Sequence, residues 1–501
     1  MKISKTSRLI SPINTILLIV LFGFQGYGQI TFEKIISRDE DQRIHQVIED
    51  NNGNFVLAGR INDLETSFPA GYIIKIDSLG NFIQEKIIQY SDTNTQILYN
   101  IHFFNNNYYI LGSRQFNYPD STRLWYLKLS PNLEIITEKY YKIPDNKWVS
   151  YMNLIIDSDT NIVITGYTTR IDTTGPFPYN SDPFFFKFSL AGDSINSNFI
   201  TSEYHLSMSY DIIEKYNQTG YYSYGFKYTS SISAGGQRFD LTKQFDSLDI
   251  QEVPYNISLY TSSAKINDST IIISGGGGPM STPSYSLNVL STTMDNIPVD
   301  YNYFKIGGNM RDYTAMYQGV SKYGDNIFVG GTSNFDYANP FWSNFDSWFH
   351  LIKINPDISP IWEYWYGGDA YYHLYSILAT NDGGCLMVGN RYDYETQDME
   401  RDIYIVKVNS DGLIVWTQEI QIDKEPTTVY PNPGTNLLNI KTNNKELGIE
   451  LININGQVVI KQIVNNNLKT INTESLQSGM YFFRLIDKKS KTIETGKWIK
   501  K

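Results

Sequence analysis

The sequence is poor in cysteine, in histidine and in long apolar runs, and each shortage closes off a class of function. Cys385 is the one cysteine among 501 residues. A single thiol forms no internal disulfide and no cysteine-rich metal site. Inside Gly384-Cys385-Leu386-Met387-Val388 it reads as a small buried hydrophobe. The five histidines (His45, His102, His205, His350 and His373) stand singly, without the spacing of a ligand set. His45 and His373 fall in first strands of the repeat units described below and read as core or turn residues. No Gly-x-Ser-x-Gly elbow, His-Glu-x-x-His pair or phosphate loop occurs. Asp157-Ser158-Asp159-Thr160-Asn161 lacks the glycine and the closing glutamate of a calcium loop. Gly275–Gly278 runs into Pro279, not into a helix, and so reads as a loop. No catalytic residue, metal or cofactor is therefore expected. After the N-terminus no apolar run is long enough to cross a bilayer, so no transmembrane segment is expected.

What is abundant points to strands. Aromatics make up 15% of the chain, with 39 Tyr. Asn, Ser and Thr fill the stretches between apolar runs, a composition of strands and polar turns. The net charge is −11 and uneven. Residues 1–28 carry +3 and residues 430–501 carry +6, which leaves −20 on the body between them. An acidic body repels phosphate backbones, which excludes nucleic acid as a partner.

The first 28 residues have the parts of a secretory signal peptide. Lys2, Lys5 and Arg8 precede the run Ile16–Phe24, and Gly26-Tyr27-Gly28 offers a small-x-small cleavage site before Gln29.

The body repeats. One unit is a strand, a tight polar turn, a strand ending in glycine, a long loop, a strand with a central lysine, a second turn and a last strand. The first copy runs Ile44–Glu49, turn 51–54, Phe55–Gly59, Tyr72–Ile76, turn 77–81 and Phe82–Ile88. The last copy keeps the order, from Asn381-Asp382-Gly383-Gly384 through Leu386–Gly389 and Ile403–Val408 to Leu413–Glu419. Seven anchor glycines align: Gly59, Gly112, Gly166, Gly225, Gly275, Gly331 and Gly389, spaced 53, 54, 59, 50, 56 and 58 residues apart. The first turns hold Asn, Asp or Gly, which tolerate the positive φ of tight hairpins. A four-stranded meander cannot bury both faces alone, and radial stacking of seven such sheets predicts a β-propeller. The lysine of the third strand (Lys75, Lys128, Lys187, Lys353, Lys407) reads as a snorkelling or edge residue. Units four and five match least well. Thr31–Ile36 resembles a fourth strand and could seal the ring with the last unit, but Leu413–Glu419 already fills that place in the pattern.

From Val429 the pattern changes. Tyr430-Pro431-Asn432-Pro433 precedes Leu437–Ile440; Ile449–Ile454 leads to the turn Asn455-Gly456-Gln457. Then come Ser478-Gly479-Met480-Tyr481 and the basic end Lys497-Trp498-Ile499-Lys500. Alternating strands between glycine turns predict a small Ig-like antiparallel sandwich. In that order these motifs resemble the type A C-terminal sorting domain of the type IX secretion system of Bacteroidetes. The resemblance assigns the sorting signal to Tyr430, Pro431, Asn432, Pro433, Asn455, Gly456, Gly479, Tyr481, Lys497 and Lys500. It implies partners in the translocon and sorting machinery, passage through the periplasm, and a product released or attached to the outer-membrane surface. More loosely, the body resembles delta-60-type propeller repeats of bacterial surface proteins; it lacks the Trp-Asp dipeptide of WD40 repeats and the double glycine of kelch repeats.

The expected fold is therefore all-β: a signal peptide (1–28), a seven-bladed β-propeller (29–424), a linker (425–429) and a sandwich sorting domain (430–501). Function is expected on the long loops between second and third strands, which set aromatics beside carboxylates. Phe335, Asp336, Tyr337 and Trp342 from one loop, and Tyr392, Asp393 and Tyr394 from the next, are the candidate ligand-binding residues. Flat apolar rings suit sugars or protein partners, and carboxylates accept hydrogen bonds from hydroxyls. The reading is a glycan- or protein-binding module. The alternatives are a propeller polysaccharide hydrolase or lyase, with Asp336 and Asp393 as a carboxylate pair, or a purely structural surface protein.

Overall fold

A computed structural model describes residues 30–501, except 63–67, 92, 117–121, 143–147, 172–178, 203–205, 229–233, 247, 255–256, 258, 278–285, 306–310, 397–398, 415–419, 422–427, 442–446, 455–456, 465–467 and 487–491. The signal peptide expected at 1–28 lies outside the described residues. No helix of the described residues is long and apolar enough to cross a membrane.

The body is a series of antiparallel meanders. Unit 1 comprises Asp41–Glu49, Phe55–Asn62, Pro69–Ile76 and Phe82–Ile88, paired in that order. The first strands of the following units are Thr93–Phe104, Trp148–Ile156, Leu206–Glu214, Leu259–Lys265, the pair Asp312–Thr314 and Val320–Tyr323, and Tyr371–Ala379. Each first strand packs against the next, and Tyr371–Ala379 packs against Asp41–Glu49, so the inner strands close a circle. Between neighbouring units the sheet faces are largely apolar. Val56, Ala58 and Ile73 of unit 1 lie against Leu98, Ile110, Trp125 and Leu127 of unit 2. Middle strands, covered on both faces, are buried along their length, while outer strands such as Ile135–Lys142 stay wet.

The ring is sealed by the N-terminus. Phe32–Ser37 pairs antiparallel with Asp402–Val408, and Ile420–Gln421 runs parallel to it. Phe32 and Ile36 enter the core between the last unit and the first, beside Leu386, Val388, Ile403 and Ile405. This corrects the sequence reading of Leu413–Glu419 as the fourth strand. Leu413 and Ile414 are not in a strand, 415–419 lie outside the described residues, and the N-terminal strand occupies the place.

The anchor glycines have one cause. Each inner strand carries a β-bulge, and the glycine sits across from it. Register shifts fall at Ile44/Gln46, Leu98/Asn100, Tyr151/Asn153, Ser209/Asp211 and Leu374/Ser376, with Ile44, Leu98, Tyr151, Ser209 and Leu374 facing Gly59, Gly112, Gly166, Gly225 and Gly389. The bulge pushes a backbone carbonyl onto the glycine. A Cβ on Gly59 would lie 2.0 Å from the Arg43 oxygen, and one on Gly225 1.9 Å from the Met208 oxygen. In unit 5 the facing residue is Gly276, one later than the expected Gly275. In unit 6 the bulge has grown into the loop 315–319, and Thr314 faces Gly331.

Three of the five strand lysines, Lys75, Lys187 and Lys407, are buried and do not snorkel. Lys75 and Lys187 are buried and ion-paired to aspartates that begin the first turns of their units: Lys75–Asp50 at 2.9 Å and Lys187–Asp157 at 3.3 Å. The next unit joins in, with Tyr108 donating to Asp50 (2.9 Å) and Tyr221 to Asp157 (2.6 Å). Lys407 pairs with Asp382 at 2.9 Å. Burial alone would raise these carboxyls, but it is outweighed at Asp50 by hydrogen bonds from Lys75, Asn54 and turn backbone, at Asp157 by those from Tyr221 and turn backbone with the charge of Lys187, and at Asp382 by the charge of Lys407 with hydrogen bonds from Thr380 and Lys407, so all three lie below the usual range. Lys128 and Lys353 instead lie over the Tyr109 and Phe328 rings.

The tail is a two-sheet sandwich. Thr428–Tyr430, Leu437–Lys441 and Leu468–Asn472 form one sheet. The other contains Leu447–Asn453, Val458–Val464, Gly479–Ile486 and Thr492–Lys500. Leu438, Ile449, Leu451, Tyr481, Phe483 and Trp498 fill the space between.

Candidate functional site

The bulges aim side chains down the channel axis, and those side chains meet. His45 of unit 1 stacks on Tyr99 of unit 2 at 5.3 Å and meets Tyr317 of unit 6 at 4.8 Å. Tyr317 in turn touches Tyr375 of unit 7, and Tyr375 lies 4.6 Å from His373. His45 Nδ1–H donates to the Leu98 carbonyl at 2.6 Å. Burial drives His45 well below its ordinary pKa and His373 down to about 3, so both rings are neutral. Isolated in sequence, these two histidines share one aromatic plug. His350 lies elsewhere, against Glu363 at 2.6 Å, and His205 is outside the described residues.

Directly after the bulge the inner strands of units 1 to 5 turn a polar residue toward a neighbour. Gln46 accepts from Ile101 N (2.8 Å), and Asn100 donates to the Met152 carbonyl (2.9 Å). Asn153 and Ser263 both donate to Asp211. Val320 N donates to Ser262 (3.2 Å) and Ala379 N to Ser321 (2.9 Å). Asn381 N donates to Glu49 (3.3 Å), joining the last inner strand to the first. This girdle bridges every joint of the ring. Next to it, on the tight-turn side, lies a cavity of about 620 Å³ lined by Gln46, Glu49, Asn153, Asp211 and Gln318. Burial raises the Asp211 and Glu49 carboxyls.

The opposite mouth is covered by the unit 6 loop, 334–347. Asp336 Oδ1 accepts from Ala338 N and Asn339 N, which fixes the turn. Phe335 is buried, stacked on Tyr313 (4.7 Å) and against His373 (4.9 Å). Tyr337 is exposed, its ring edge-on to Tyr313. Trp342 meets buried Tyr392 edge-on at 5.0 Å and carries the Arg401 guanidinium at 4.2 Å. Tyr394 donates to Asp346 at 2.6 Å, locking the unit 7 loop to the unit 6 loop. Asp393 is bound by Arg391 (3.2 Å) and caps Glu395 N. The structure thus brings the seven candidate residues together at two interlocked loops, where the side chains of Asp336, Asp393 and Tyr394 are already engaged. Asp336 and Asp393 serve as turn and ion-pair residues.

The sequence reading missed the basic residues behind this mouth. Phe341 of the loop lies on Arg43 (4.1 Å) and Arg401 (5.4 Å). Arg401 is held by Asp41 at 2.6 and 2.7 Å, both buried. The signal was positional: once the glycines are paired across the hairpins, the channel-facing residues follow by counting.

In the tail, the sorting motifs form one corner. Trp498 Nε1 donates to the Pro431 carbonyl (2.8 Å), Asn432 donates to the Lys497 carbonyl (2.8 Å), and Ile499 N donates back to Asn432 (3.0 Å). Lys500 donates to the Thr435 carbonyl. Tyr481 is buried and donates to the Gln477 carbonyl, and Gly479 opens its strand. Asn455 and Gly456 lie outside the described residues.

Residues 428–501 match the secretion system C-terminal sorting domain family. The chain therefore carries a sorting domain of the type IX secretion system and is exported, secreted or attached to the cell surface. No curated protein matches the chain. Among solved structures it is similar to PorZ, a type IX secretion surface component of Porphyromonas gingivalis, at 9% identity and a TM-score of 0.33, covering 95% of this chain and 75% of PorZ. The β-propeller domain of the Trilobed protease of Pyrococcus furiosus follows at 8% identity and a TM-score of 0.40, over 77% of this chain and 98% of that one. A Mycobacterium tuberculosis puromycin-hydrolyzing peptidase gives 8% and 0.45, over 81% of this chain; the chain spans 59% of that peptidase.

Proposed function

We propose that the protein is a signal-peptide-bearing, type IX-exported binding module. Its seven meanders are the blades of one propeller that recognises glycan or protein at the loop-side mouth. The observation that carries this reading is the interlocked pair of loops around Tyr337 and Trp342. The turn at Asp336, the Tyr394–Asp346 bond and the Arg401–Trp342 stack fix the loops before any ligand arrives. A rigid, partly exposed aromatic rim loses little entropy on binding. A glycan array and a pull-down from culture medium test it, run in parallel with the parent and Tyr337→Ala. A partner bound by the parent and at least about tenfold more weakly by the variant, at unchanged melting temperature, supports the reading. Empty results in both assays count against it.

A further inference from the structure

We propose that Arg43 and Arg60 form a binding site for the carboxylate of a small ligand, inside the channel and beneath the unit 6 loop. They face each other across the first hairpin of unit 1. Among the described residues, neither makes an ion pair or a hydrogen bond, and the Nε atoms of both are buried without a partner. Other arginines are matched: Arg401 by Asp41, Arg391 by Asp393, Arg38 by Glu85, Arg238 by the Met294 carbonyl. Arg43 and Arg60 are both half-buried, so each keeps contact with solvent.

The strongest ionisable influences on Arg43 come from Tyr375, Arg401, Arg60 and Tyr317, none of them a carboxylate. Burial first, then the two arginines, pull its pKa down to about 10, leaving it charged at neutral pH. A desolvated cation without a counter-ion is costly, and a carboxylate entering from solvent would remove that cost. Two guanidinium forks match the planar geometry of that group. Phe341, Tyr317 and Tyr375 offer flat walls for the ligand's body, and the Tyr375 hydroxyl is buried with no partner.

Isothermal titration of the exported protein with sodium glucuronate, glucose and sodium sulfate tests this, alongside Arg43→Gln and Arg60→Gln. Glucuronate should bind, and glucose should not. Either substitution should weaken binding at least about tenfold. Both variants should melt no lower than the parent, because each removes an unpaired cation. No heat with glucuronate, sulfate binding as tightly as glucuronate, or unchanged affinity in both variants would overturn the proposal. Variants that melt well below the parent would overturn it too, since the arginines would then be structural.

Discussion

At the residue scale, the anchor glycines stand where a bulge carbonyl of the neighbouring strand leaves no room for a Cβ. The glycine periodicity was visible because only hydrogen fits across from a bulge. The reason for it was not visible, since a bulge leaves no mark of its own in a single strand. Gly225→Ala forces a Cβ against the Met208 carbonyl, a backbone atom that cannot rotate away. A loss of about 3 kcal/mol is expected from urea midpoints; an unchanged midpoint would remove the bulge explanation. Lys75 and Lys187 were misread because a period of two cannot show that a turn aspartate and a tyrosine of the next unit close over them. Lys75→Met leaves Asp50 buried without its cation and should cost about 3 kcal/mol. Lys75→Met with Asp50→Leu should recover part of that loss.

The buried histidines set a pH dependence. Burial lowers His102 to about 4 and His373 to about 3 from 6.5, so the unfolded chain binds protons that the folded one does not. Stability should therefore fall as pH drops below 6.5, by up to about 1.4 kcal/mol per pH unit for each ring. The depressed carboxyls of Asp50, Asp157 and Asp382 act lower: their stabilisation is present above 3.8 and lost below it. Urea midpoints between about pH 7 and about pH 5 thus report the histidines against the opposing raised carboxyls of Asp211 and Glu49, and His102→Gln should shift that slope toward the carboxyls.

At the scale of elements, the N-terminal strand is the one whose partner the pattern could not name. Phe32–Ser37 looks like any outer strand, and nothing local says that it pairs some 370 residues away. Its removal exposes Leu386, Val388, Ile403 and Ile405 and opens the joint between the last unit and the first. A chain beginning at residue 38 should lose its single melting transition or melt well below the parent, whereas a chain lacking Val458–Lys501 should keep the body's transition. Equal melting of the two would contradict the closure. The unit 6 loop was legible by its aromatics, yet its role as a cover over Arg43 depends on the ring geometry that brings unit 6 across from unit 1.

At the scale of the whole molecule, export is carried by the chain's end, and its motifs were legible because they are specific in order and spacing. Tyr430–Pro433 and Lys497–Lys500 lie far apart in sequence and form one corner through the Trp498 and Asn432 bonds. The cluster of His45, Tyr99, Tyr317 and Tyr375 was not legible, because it forms only where residues from separate units meet. Fractionating cells that express the chain ending at residue 429 is the most direct measurement. The truncated protein should fold and accumulate in the periplasm while the full chain reaches the surface or the medium; appearance of both outside the cell in equal amounts would contradict the assignment.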